Sequence, residues 1–244
     1  MLPVKVISLR RSTERRAEFA RRNGHIAYEF IDAVDAMAMP RETILGTGLF
    51  APGLAYTIGA HGAALSHLGL WQQAIASGRP LTVAEDDAIF RQDFAQTRDT
   101  LLQTIPPDWD MVLWGWNFDS ILAMQCMPGV TNAMYFEFAD LLADVSRFQA
   151  HTARPALFPL DKCFGLPAYT ISPKGAQAFR DRCFPLTSYA VHFPLIGDVS
   201  NYGLDVAASR AYPDTRAFVC YPPLAVTRND QSITTIQNTP HFEG

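Results

Sequence analysis

TIGAHGAALSHLGLWQQAIASGRPLTVAEDD, residues 57–87, changes its period partway along. Ala64, Leu68, Trp71 and Ile75 recur at three- and four-residue spacing, which predicts a helix with Thr57 as its cap and Gly78 as its stop. LTVA at 81–84 then reads as a strand. A helix that hands the chain straight to a strand is the unit of an α/β sheet with helices on its faces.

The pattern recurs on both sides. VKVISL at 4–9 predicts a strand, followed by a helix within 10–23 for which Ser12 or Thr13 can serve as the cap. Downstream come a helix within 93–105, a strand at 111–116, and a strand and helix at 167–183, with Ser172 as cap and Pro173 as first helical residue. A last strand lies within 215–224 and is closed by Pro222 and Pro223. Residues 117–167 carry a weak pattern. A structureless loop of that length is out of place in a compact domain, so 135–149 is predicted to be partly helical.

A chain of 244 residues can bury a core without disulfide or metal staples. With 18% charged residues and a net charge of -4, the basic footprint of a nucleic-acid binder is missing. Cys126, Cys163, Cys183 and Cys220 form no metal-ligand spacing and read as reduced, mostly buried thiols. The apolar run at 2–9 precedes Arg10 and Arg11, the reverse of a signal peptide, and is too short to span a bilayer. The expectation is a cytoplasmic protein with no transmembrane segment, compatible with peripheral attachment at the inner face of a membrane.

Glu85, Asp86 and Asp87 end the strand at 81–84, on the edge where open α/β sheets bind ligands. Adjacent carboxylates repel unless a cation or basic group neutralises them. Hard oxygen ligands suit magnesium or manganese, which complete their shells with water and substrate phosphates, so a nucleotide diphosphate is the natural second half of the site. Strand alternation sends Glu85 and Asp87 to one face and Asp86 to the other. Taken alone, the triplet also reads as a solvated acidic turn.

Four stretches in order resemble glycosyltransferase family 25, the group of lipooligosaccharide and collagen galactosyltransferases. They are VISLRRSTERR at 6–16, IGAHGAALSHLGLWQQAIASGRPLTVAEDDAIF at 58–90, AYTISPKGAQAF at 168–179 and LDVAASRAYPDTRAFVCYPPLAVTRNDQSIT at 204–234. The resemblance implies a GT-A-like fold, a single domain over 1–244 with a Rossmann-like mixed sheet flanked by helices. Within it, 1–116 would form the nucleotide-sugar half, and 117–244 the acceptor side and tail. It also implies inverting transfer of a hexose, by default galactose, from a UDP-sugar to a glycan or protein hydroxyl, with Mn2+ or Mg2+. One departure stands out: the family's Gly-Glu-Ile-Gly-Cys reads Gly59, Ala60, His61, Gly62, Ala63, so a carboxylate expected near the donor is missing. A nucleotide- or sugar-binding domain without transferase activity is therefore the alternative. A metal-dependent phosphoester hydrolase would want a denser Asp/His cluster.

On this resemblance Asp87 is the first metal ligand, with Glu85 beside it or toward the nucleoside, and Asp86 in support. Leu9, Arg10, Arg15, Gly62, Ser66, Arg228 and Ser232 are the further candidates for donor contact, with Arg11 near them. Arg16, Arg21 and Arg22 fit a solvated helix face better. The general base that inversion requires is Asp205 or Asp198; either also reads as a helix cap. His67 reads as a packing or supporting histidine as readily as a donor contact, and Gly62 as a close helix contact. Lys174 and Gly175 read as architectural, with Lys174 able to approach a phosphate. The tail with Arg228, Asp230 and Ser232 reads as a lid or a frayed end, and His192 or His241 could complete a metal shell. Trp114 and Trp116 read as core, or as a stacking surface for an acceptor sugar.

Overall fold

The computed structural model describes residues 3–228, 236 and 238–242. β1 (Val4–Ser8) leads to α1 (Thr13–Asn23) and β2 (Tyr28–Asp32); α2 (Arg41–Leu45) and α3 (Ile58–Ser77) precede β3 (Leu81–Glu85), β4 (Ala88–Phe90) and α4 (Phe94–Thr104). Next come β5 (Met111–Gly115), β6 (Leu122–Met127), β7 (Val130–Met134), α5 (Ala139–Ala143), α6 (Val145–Gln149), β8 (Ala156–Cys163) and β9 (Ala168–Ile171). The chain continues through α7 (Pro173–Cys183), β10 (Ala190–Phe193), β11 (Gly197–Ser200), α8 (Leu204–Ala211), β12 (Ala217–Tyr221) and β13 (Ala225–Thr227).

Among the described residues nine strands form one mixed sheet in the order β2-β1-β3-β9-β5-β12-β8-β6-β7. β1, β2 and β3 run parallel, β9 is reversed between β3 and β5, and β5 and β12 are parallel again. The C-terminal ends of β1, β3, β5 and β12 therefore share one edge. Because β9 sits between β3 and β5, residues on either side of 116 contribute to one continuous sheet.

Alternation along the strands fills two cores. Val83, Met111, Leu113 and Tyr169 join α3, α7 and α8 on one face; Val6, Ala84, Val112 and Trp114 join α1 and α4 on the other. Fully burying a side chain such as Leu68 contributes roughly 1.5–3 kcal/mol, so α3, buried on most of its circumference, is a principal anchor of the fold. Its ends match the sequence: Thr57 accepts from the Ala60 amide at 3.1 Å, and Gly78 stops it at φ 63°. Ser172 likewise caps α7 by accepting from the Gly175 amide at 2.9 Å.

One region departed from the expected pattern, and the tryptophan pair took the core reading of the two open to it. Residues 117–167 contain α5 and α6 where helix was predicted, but also β6, β7 and β8, which carry the sheet outward. β7 is the edge strand and the far end of β6 is exposed, so neither carries the alternation that marks a half-buried strand. Trp114 and Trp116 are both fully buried, which rules them out as a sugar-stacking surface. The Trp114 indole donates to Thr170 Oγ1 at 2.8 Å, and Trp116 stacks on Tyr221.

Gly62 is a close-packing position, as one reading of it supposed. A Cβ there would meet the Val34 carbonyl oxygen at 2.5 Å. Backbone on both sides must shift to admit it, and overpacking of this kind costs about 1–3 kcal/mol. Gly62→Ala is expected to lower the thermal midpoint by several degrees in a calorimetric scan; an unchanged midpoint would show that the 34–36 segment yields freely.

Candidate active site

The carboxylate triplet sits at the C-terminal edge as predicted, but only Glu85 belongs to the strand; Asp86 and Asp87 form the turn into β4. Glu85 follows Val83 onto the α3 face and meets His67 there, with Nε2 and Oε1 3.4 Å apart. Asp86 faces the opposite way, as alternation requires. It is 8% exposed, accepts from Ser8 Oγ at 2.7 Å, and is held by the Arg15 guanidinium. Its charge is thus neutralised internally, which answers why two carboxylates can open on solvent beside it.

Asp87 is held differently. β4 pairs with β13 so that Ala88 opposes Thr227, and the Thr227 side chain bonds the Asp87 carboxylate. Its side chain is 34% exposed, toward the cavity, yet Oδ1 is sealed and has no hydrogen-bond partner. Burial first, then the Glu85 charge, pushes this carboxyl up to about 6, against the pull of Arg15. An orphaned carboxylate oxygen beside a second acid is a donor set that fits a hard divalent cation. Among the described residues no three His, Cys, Asp or Glu converge on one point. A cation would therefore draw its remaining ligands from water and substrate phosphate, as magnesium and manganese do.

Asp205 reaches the same space from the first turn of α8. Its Oδ2 accepts from the Gly165 amide at 3.0 Å and its Oδ1 from the Val206 amide at 2.9 Å. Burial raises its carboxyl, those two amides hold it down, and the Glu85 charge raises it further. Gly165 stands at φ 79°, with a Cβ position only 2.2 Å from Asn117 Oδ1, so the loop can present its amide to Asp205 only as glycine.

Glu85, Asp86, Asp87 and Asp205 all line a cavity of about 800 Å³, the size range of ligand pockets. Arg11, Arg15, Arg22 and Arg228 supply positive charge to its wall, and Asn117, Tyr202, Ile236 and His241 are also part of its lining. Arg15 bridges Asp86 and Asp87, whereas Arg11 forms a two-pronged pair with Asp35 at 2.6 and 3.2 Å.

The remaining candidates divide. Leu9 and Ser66 line a small adjoining recess; Ser66 accepts from the Val34 amide at 2.9 Å and donates to the Gly62 carbonyl at 2.7 Å. Gly62 lines neither space, and Arg10 is exposed beyond both. Asp198 does not reach the cavity. It lies on the β10–β11 hairpin, 73% exposed, and pairs with His192 at 2.9 Å. That pairing also takes His192 away from any metal shell near Asp87. Lys174 pairs with Asp110 at 3.0 Å, outside the cavity. Arg16 turned inward, contrary to the solvated-face reading, to bond the Ser8 carbonyl and Asp32; Arg21 and Arg22 pair with Glu18. Asp230 and Ser232 lie outside the described residues.

Sequence reasoning passed over Thr227, Asn117, Tyr202 and Tyr169. Only Asn117 had a usable signal, as the residue after a strand that ends on the ligand edge. His61 packs among Phe50, Tyr56 and Phe242, with Nδ1 2.8 Å from the Thr57 carbonyl, while Ala60, which stands where the family carries glutamate, lines the cavity without a carboxylate.

No helix among the described residues is long and apolar enough to cross a membrane. Residues 1–192 match the family model described as "Glycosyltransferase family 25 (LPS biosynthesis protein)". Among curated proteins, "Putative glycosyltransferase R655" of Acanthamoeba polyphaga mimivirus is 34% identical over 126 residues, covering 47% of this chain and 37% of that protein. "Inactive glycosyltransferase 25 family member 3" of Mus musculus is 26% identical over 221 residues, covering 78% of this chain and 37% of its own length. The protein of that name in Homo sapiens is 27% identical over 180 residues, covering 65% and 30%. The match spans little more than a third of the length of the first two relatives. With most of its length matching the family model, the chain belongs to glycosyltransferase family 25.

Proposed function

We propose that the chain is an inverting hexosyltransferase that moves a hexose, by default galactose, from a UDP-sugar to a hydroxyl of a glycan or protein, with a divalent metal. The observation that carries this reading is the opening of Asp87, Glu85 and Asp205 onto one cavity, with Asp87 Oδ1 lacking a partner. Asp87 and Glu85 would hold manganese or magnesium, which when bound supplies Lewis-acid stabilisation to the departing diphosphate. Arg15 and Arg228 add positive charge along the wall where the phosphates would lie.

Asp205 accepts the acceptor's hydroxyl proton as the oxygen forms its bond to the anomeric carbon. The bond from that carbon to the diphosphate oxygen breaks, its electron pair leaving with the nucleotide. Attack and departure on opposite faces invert the centre. A carboxyl raised by burial is a stronger base than an exposed one, which suits this task. Tyr202, 41% exposed at the cavity beside Asp205, offers the aromatic face for an acceptor sugar that the buried tryptophans cannot.

The test is thermal unfolding with UDP and a panel of nucleotide sugars, each with and without manganese. Ligand at a hundred times its dissociation constant adds about 2.7 kcal/mol. At about 2–4 °C per kcal/mol for a chain of this size, the midpoint should rise by several degrees. A rise that requires manganese and favours one UDP-sugar supports the reading, and no rise with any nucleotide would remove it. A second reading, binding without transfer, is favoured by Ala60, which lines the cavity where the family carries glutamate, and by the names of the mammalian relatives. It would give the same rise but no release of UDP when acceptors are supplied.

A further inference from the structure

We propose that His67 is a positioning residue. It is locked in one tautomer by a buried hydrogen-bond chain that begins at Trp71, and it presents an N–H that orients Glu85. Trp71, Tyr169 and His67 are 0%, 0% and 3% exposed, so water does not compete for their polar atoms. The Trp71 indole can only donate, and it does so to Tyr169 Oη at 2.9 Å. The one hydrogen of the Tyr169 hydroxyl is then free for His67 Nδ1, 2.8 Å away. Nδ1 is therefore the acceptor nitrogen, and Nε2 carries the hydrogen that faces Glu85 Oε1 at 3.4 Å.

The other arrangement fails on the same count. A hydrogen on Nδ1 would point two donors at the Tyr169 oxygen and leave its hydroxyl hydrogen without an acceptor. It would also turn an Nε2 lone pair toward a carboxylate, and leaving buried polar groups unpaired in this way costs about 1–3 kcal/mol each.

Glu85 needs such a partner. Asp86 has Ser8 and Arg15, and Asp87 has Thr227 and Arg15. Among the described residues His67 is the one hydrogen-bond partner of the Glu85 carboxylate. The contact is long, so it sets the direction of the carboxylate without saturating it. Outer partners that orient a ligating carboxylate typically change affinity or activity by about 10–100-fold when removed.

This inference rests on Glu85 serving the donor, so the experiment separates the two. Long-range proton–nitrogen NMR on histidine-labelled protein reads the tautomer directly, with the His67 signals assigned by their loss in His67→Gln. Wild type should show Nε2 bearing the hydrogen, and Tyr169→Phe should give averaged nitrogen shifts because the locking donor is gone. UDP binding with manganese is then measured by calorimetry. His67→Gln places an amide nitrogen where Nε2 was and should bind within about threefold of wild type; His67→Asn reaches only the Nδ1 position and should lose about tenfold or more. A hydrogen on Nδ1 in wild type, no response to Tyr169→Phe, or equal affinities for the two amide variants would overturn the proposal. If wild type binds no UDP, the donor reading falls, while the NMR result still decides whether the lock exists.

Discussion

Asp87→Asn is expected to lower metal-dependent sugar transfer at least about 100-fold while leaving the thermal midpoint unchanged or slightly higher, the opposite of what a structural aspartate would do. The amide keeps the volume and one oxygen but loses the charge that a divalent cation requires. Stability moves the other way because of the site's electrostatics. Burial and Glu85 push the Asp87 carboxyl up to about 6, above its ordinary value of about 3.9, so the ionised form is penalised in the folded protein. That penalty is present above about 6 and fades as pH falls toward the ordinary value, so at pH 7.5 a neutral amide relieves it. Transfer is followed by UDP release with manganese and stability by calorimetry. Full turnover in the variant would remove Asp87 from the metal, and a large fall in midpoint would mark it as structural.

Asp205→Asn is expected to reduce kcat by about 10²–10⁴-fold with little change in UDP affinity, the signature of a lost general base. An asparagine oxygen can accept from only one side, so either the Gly165 or the Val206 amide loses its acceptor, at a cost of about 1–3 kcal/mol. The midpoint should fall modestly, and turnover must be compared at a temperature where the variant is folded. Asp198→Asn is the control: on an exposed hairpin and paired with His192, it should leave turnover within about twofold, as surface substitutions do. If Asp198→Asn loses turnover and Asp205→Asn retains it, the base lies on the hairpin.

Both predictions began in the sequence, but only one was fixed there. The triplet at 85–87 could be placed at the ligand edge of a sheet because the change of period at Gly78 announces the strand before it. The choice between Asp205 and Asp198 could not be made from the chain. Both lie in glycine-containing stretches, and what separates them is the Gly165 loop, forty residues earlier, which reaches one and not the other. Residues 117–167 were illegible for a related reason. β6 and β7 extend the far margin of the sheet with much of their surface open, and strands that bury no continuous face leave no alternation to read.

The tryptophans teach the converse. Trp114 and Trp116 have the composition of a sugar platform, and packing consumed both, while Tyr202, unremarked in the sequence, opens on the cavity. Local order determined α3, β3 and α7, because caps, stops and apolar period act within a few residues; at the start of α1 the expected cap is missing, since Ser12 makes no side-chain cap bond. Which carboxylate is neutralised by Arg15, which keeps an unpartnered oxygen, and which meets His67 were decided by tertiary structure alone. The alternation of β3 sends neighbouring acids to opposite faces, and only the packing of α1, α3 and β13 around that strand determines what each acid finds there.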